Sequence, residues 1–137
     1  MFSVGTASVS NASTSPMVAY CFAEVAGYSK FGSYTGNGST DGTFVYLGFR
    51  PRFVMIKRTD STGNWAIWDT ARDTFNATKY ELVPNASDAE TSAAGDRMDI
   101  LSNGFKLRNS GITYNANGGT FVYACFAENP FSKALAR

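Results

Sequence analysis

Histidine is absent from all 137 residues. With it go the commonest general base, the commonest metal ligand and the side chain that titrates near neutrality. Charge is also scarce. Twelve basic and 11 acidic residues leave a net charge of +1, and charged residues make up 17% of the chain, against about 25% in ordinary domains. The basic stripe expected of a nucleic-acid partner is missing, so no nucleic-acid binding is expected. No apolar run reaches the ~18 residues of a membrane-spanning helix, so no membrane insertion is expected. The Ser/Thr-rich start, residues 1–15, has neither a basic region nor an apolar run and does not read as a signal peptide. Only two cysteines occur, Cys21 and Cys125, each inside an apolar run. Both are expected to be buried free thiols.

Aromatic residues, by contrast, make up 15% of the chain and hydrophobic residues 44%. A chain of this length fits one domain and buries enough surface to fold without a disulfide or a metal. Helical periodicity is nearly absent. Short β-rich runs recur instead, at residues 17–25, 43–48, 52–58, 64–69, 80–83, 98–101, 105–108 and 120–128, with 30–34 as a further one. Gly, Asn, Asp and Ser clusters separate them. Asn103-Gly104 suits the positive φ values of a type I′ hairpin turn, and residues 60–63 read as the longer loop of a second hairpin. The expected fold is all-β, an antiparallel β-sandwich of eight or nine strands with little or no helix. Residues 17–25, 64–69 and 120–128 are apolar on both faces. Large exposed apolar patches are rare on monomers, so these runs point to association with other copies.

The chain echoes itself. Cys21-Phe22-Ala23-Glu24 is matched by Cys125-Phe126-Ala127-Glu128, and Tyr28-Ser29-Lys30 by Phe131-Ser132-Lys133. Residues 1–30 therefore read as the closing strand of a preceding repeat unit, packed against a sandwich unit over residues 31–137.

No constellation reads as catalytic. Glu24 and Glu128 are the one carboxylate pair to weigh for glycoside hydrolysis. Their repeat-equivalent places make them edge or salt-bridge residues, partnered by Lys30 and Lys133. The loop aspartates lack the spacing of an EF-hand calcium loop and read as turn formers. No metal and no cofactor is expected. Lys57 and Arg58 end one strand run and call for a carboxylate at Asp69 or Asp60. In NWAIWD, period two sends Trp65 and Trp68 to opposite faces. One is expected in the core. The other is free to stack on a sugar or to fill a subunit interface. Tyr34, Asn64, Trp65, Trp68 and Asp69 form the candidate ligand-binding set, with the loops 34–41, 60–64 and 85–96 as candidate contacts.

The string YCFAEVAGYSKFGSYTGNGSTDGTFVYLGFRPRFVMIKRTDSTGNWAIWDTAR, with GFRPRFVMIKR, GNWAIWD and FAENPF as its distinctive parts, resembles a β-rich domain family of bacteriophage proteins. That family is found in tail-fibre and other virion structural proteins, often of marine phages and often beside concanavalin-like laminin-G modules. The likeness covers residues 20–131. It implies a place on the virion surface, in tail or capsid, among other virion proteins. No functional residue carries over from it. On this footing the expected function is non-enzymatic, a tail-fibre or spike-type module that binds a host receptor, either a surface glycan or a protein, as a homo-oligomer and by analogy a trimer. The alternative is a capsid decoration (cement) protein or head fibre that stabilises the capsid, favoured by a short chain that begins with Met.

Overall fold

The computed structural model describes residues 2–92 and 95–130. Among them the β-branched and aromatic runs become nine strands: β1 (Ser29–Thr35), β2 (Phe44–Tyr46), β3 (Pro51–Arg58), β4 (Trp65–Asp69), β5 (Tyr80–Glu81), β6 (Thr91–Ser92), β7 (Met98–Leu101), β8 (Gly104–Leu107) and β9 (Thr120–Ala127). Two single helical turns, α1 (Ser8–Asn11) and α2 (Ile112–Asn115), complete the list. Every strand pair is antiparallel. The fold is all-β and sandwich-like, as the composition and turn pattern require.

The larger sheet has the order β1-β9-β3-β4 and the smaller β2-β8-β7, while β5 and β6 pair alone. Between the two sheets lies the core. Tyr34, Val54, Ile56, Ala66, Trp68, Phe121, Tyr123 and Cys125 enter it from the larger sheet, and Val45, Met98, Ile100, Phe105 and Leu107 from the smaller. The period of two decides these memberships. In β9, Phe121, Tyr123, Cys125 and Ala127 are buried, whereas Val122, Ala124 and Phe126 are half-buried on the outer face. The last strand in sequence is thus an interior one, flanked by β1 and β3.

Three expectations are corrected. Residues 17–25 form no strand. Only Val25 makes an isolated antiparallel bridge, to Ser29, and the residues before it run exposed. Cys21 is therefore exposed, and only Cys125 is the buried free thiol that was expected. Burial pushes the Cys125 thiol well above its usual range. The β7–β8 hairpin exists, but its turn residues are Ser102 and Asn103, because Leu101 pairs with Gly104. Among the described residues the backbone with positive φ lies elsewhere, so this turn is not type I′. Gly104 has a different task. A Cβ there would stand 2.1 Å from the Val45 carbonyl oxygen, a distance no side chain tolerates. The glycine lets β2 and β8 close.

Candidate functional site

The structure scatters the five residues singled out from the sequence. Tyr34 is a core residue. Its hydroxyl donates to the Tyr114 carbonyl at 2.6 Å, and its ring stacks on Phe121. Trp68 is 0% exposed and meets the Tyr114 ring edge-on at 4.8 Å. Neither presents a surface to a ligand, because alternation along β1 and β4 turns both inward. Trp65 lies half-buried on the outer face, opposite Lys57. Its backbone N–H donates to Asn85, whose amide donates in turn to Asn64. Asp69 is consumed by its own turn. It accepts from the Ala71 and Arg72 backbone N–H groups and pairs with the Arg72 guanidinium. Burial raises the Asp69 carboxyl, but the Arg72 contacts outweigh that and hold it below the ordinary range.

The expected ion pairs are partly redistributed. Arg58 takes Asp60 at 2.8 Å. Glu128 takes Arg50 at 2.7 Å where Lys133 was expected; Lys133 lies outside the described residues. Glu24 accepts the Phe31 backbone N–H, and Lys30 reaches the Tyr46 carbonyl instead. A second group of polar side chains is internal. The Tyr114 hydroxyl donates to Glu81, and Arg97 stands 3.5 Å from the same carboxylate and over the Tyr114 ring. Burial first, and the Glu81 contact second, raise the Tyr114 hydroxyl far above its usual value. This group locks the β5 region to the core.

Another surface collects the features of a binding site. Directly opposed residues of neighbouring strands share a face. On the outer face of the smaller sheet Phe44, Lys106 and Asp99 form one row, and Tyr46, Gly104 and Leu101 the next. Phe44 is 44% exposed and Tyr46 60%. Gly104 leaves the second row without a side chain at its centre, and the Phe44 ring leans over the space. The Lys30 ammonium sits 5.4 Å from the Tyr46 ring centroid, a cation–π contact that fixes the ring. Along the first row runs a chain of charges. Lys106 pairs with Asp41 at 2.6 Å, Arg108 lies 3.6 Å from Asp41 and pairs with Asp99 at 2.6 Å. The Lys106 hydrogen bond, then its charge, lowers the Asp41 carboxyl. The result is an aromatic shelf edged by donors and acceptors in fixed positions.

Sequence reasoning passed over this shelf. The signal was present, since TFVYLG carries two aromatics two residues apart, opposite Val45 and Leu47. Nothing local says which of the two faces meets water.

The larger sheet also has an apolar outer face, formed by Phe31, Phe53, Met55, Ile67, Ala124 and Phe126. Phe22 and Tyr28 pack on Phe126 at one end of it. Upstream, residues 2–19 curl into an open hollow lined by Phe2, Val4, Val9, Met17 and Val18.

Neither the curated proteins nor the solved structures hold a match to this chain. One family model, a domain of unknown function (DUF7483), spans residues 1–130, taking in the exposed N-terminal segment, the sandwich and the shelf alike, and the chain belongs to that family.

Proposed function

We propose that this domain is a non-enzymatic surface module of a bacteriophage particle, of tail-fibre or spike type, and that it binds host-surface glycan on the shelf formed by Phe44 and Tyr46. The observation that carries the binding reading is the pair of exposed aromatic rings on a rigid strand, edged by Lys106, Asp41, Arg108 and Asp99. Aromatic faces present apolar area at low entropic cost. Fixed carboxylates and guanidinium groups supply the acceptors and donors that sugar hydroxyls require. Sites of this kind are mostly apolar, with a few placed polar groups that set orientation. The phage setting rests on the resemblance described above.

The experiment is a glycan array followed by titration of host polysaccharide against the full chain. Tyr46→Ala and Phe44→Ala each weaken binding at least about tenfold, in line with the loss of an aromatic contact. Tyr80→Ala, which removes an exposed ring elsewhere, leaves binding unchanged. An array without a hit, together with normal adsorption of particles lacking the protein, sinks the glycan reading.

A capsid decoration role is the second reading. It is favoured by the exposed apolar segment before β1, which suits a protein seated on a shell. Copy number separates the two. Hundreds of copies per particle support decoration, and a few to a few tens support the fibre.

A further inference from the structure

Residues 17–25 have the sequence of a buried strand and the surroundings of an exposed one. Val18, Cys21, Phe22, Ala23 and Glu24 repeat Val122, Cys125, Phe126, Ala127 and Glu128. Of these, Val122, Cys125 and Phe126 are paired on both edges, by β1 and β3, and the Ala127 and Glu128 N–H groups donate to the Tyr28 and Arg50 carbonyls. In the arm, Val18 is 78% exposed, Tyr20 84% and Phe22 66%. Its backbone begins to add to the open edge of β1 through the Val25–Ser29 bridge, and the Ser29 hydroxyl donates to the Ala23 carbonyl at 3.0 Å, but among the described residues 17–24 join no strand. The own-chain route along β1 is closed. Glu24 already occupies the Phe31 N–H, and Phe22 has crossed onto Phe31 and Phe126. An apolar extended segment outside any sheet is a template for another strand.

We propose that the arm, residues 17–25, pairs antiparallel with the same arm of a second copy, so that two copies join across a two-fold axis. A contact of a surface with itself is the usual form of a homodimer interface. Centring the pair on Cys21 sets Tyr20 of each copy against Phe22 of the other, giving two aromatic cross-strand pairs. It also sends the two Glu24 carboxylates, the arm's one charged position, to opposite ends of the ribbon, where they do not repel. The area suffices. At 84% and 66% exposure, Tyr20 and Phe22 present on the order of 200–400 Å² per copy. With Val18 and the backbone edges, two arms cover roughly 1,000 Å² in total, the lower bound for a specific interface. This inference stands apart from the glycan shelf, which lies on the other sheet.

The test uses the full chain. Light scattering at about 100 µM reads a dimer mass for the wild type. The double substitution Val18→Asp with Tyr20→Asp reads a monomer mass, weakens association at least about a hundredfold and leaves the melting temperature unchanged. Cys21 is exposed and Cys125 buried, so a spin label placed on Cys21 reports the arm alone. Dipolar spectroscopy of the labelled dimer gives a separation under about 20 Å, as neighbouring strands require. A monomeric or trimeric wild type overturns the proposal. So does a dimer that survives the double substitution, or one whose labels are far apart. If the double substitution unfolds the chain, the arm is packed within its own copy, and the proposal fails as well.

Discussion

Asn115 shows how one amide organises a surface it does not reach. It is fully buried in the single turn α2. Its side-chain oxygen accepts from the Asn37 backbone N–H at 3.0 Å. Its amide nitrogen faces Asn37 Oδ1 and the carbonyls of Ser39 and Asn109 at 2.8–3.0 Å. Its own carbonyl accepts from Gly38. The loop that carries Asp41 to the shelf is thus tied at its middle by Asn115, and at its two ends by the Gly36–Gly119 and Gly42–Leu107 backbone bonds. Replacing Asn115 by alanine removes four side-chain hydrogen bonds, to Asn37, Ser39 and Asn109, each worth about 0.5–1.5 kcal/mol net. Asn115→Ala is expected to cost roughly 2–4 kcal/mol in urea unfolding and to weaken ligand binding at the shelf, although Asn115 contacts no ligand. In the sequence this asparagine reads only as part of a Gly- and Asn-rich loop. Its partner Asn37 is 78 positions away, so no local pattern marks it.

At the scale of elements, β4 separates what alternation says from what pairing decides. The period of two puts Trp65 and Trp68 on opposite faces whatever the fold. Pairing with β3 settles which face is core, because Trp68 stands opposite Val54 and Trp65 opposite Lys57. Trp68→Ala is expected to cost about 3–5 kcal/mol. Trp65→Ala, on the half-covered outer face, is expected to cost about 1 kcal/mol. Chemical denaturation of the two variants side by side checks the difference; equal costs would contradict the assignment of faces. The same logic explains the arm. Its sequence has the strand pattern, yet a strand is a relation between two segments, and within its own chain the second segment is taken. The hairpin of β7 and β8 gives the converse lesson. Asn103-Gly104 marked the hairpin but not its turn residues, which are Ser102 and Asn103; Gly104 is needed for the approach of Val45 from β2, which adjacent residues do not reveal.

For the molecule as a whole, acid stability follows from paired carboxylates. Asp60 is lowered to about 2 chiefly by its hydrogen bond from Arg58. Asp41 is lowered by Lys106, and Asp69 by Arg72 against its burial. A carboxyl whose folded value is depressed stabilises the fold fully above its unfolded value, near 3.8 for Asp60, and that contribution fades as pH falls toward the folded value. The melting temperature is therefore expected to be level from about pH 8 to pH 5, since no histidine titrates there, and to fall between about pH 4 and pH 2. Asp60 and Asp41 are solvent-exposed, so each adds little, and high salt shrinks the effect. Calorimetry across this range checks it. Asp60→Asn should make the acid limb shallower, and an unchanged limb would remove Asp60 from the account.

Composition and alternation by themselves determined the class of this protein. Scarce charge, abundant aromatics, missing helical periodicity and regular turn residues leave an antiparallel β-structure as the way to bury so much apolar surface. These are local properties, carried within a few residues of each position. Only the tertiary structure decided which face of each strand meets the core. It took Tyr34 and Trp68 out of the candidate site, put Phe44 and Tyr46 into one, and left residues 17–24 outside every strand among the described residues. Those outcomes depend on pairings between segments as far apart as β1 and β9. The burial of a side chain is a property of the pair and not of either segment.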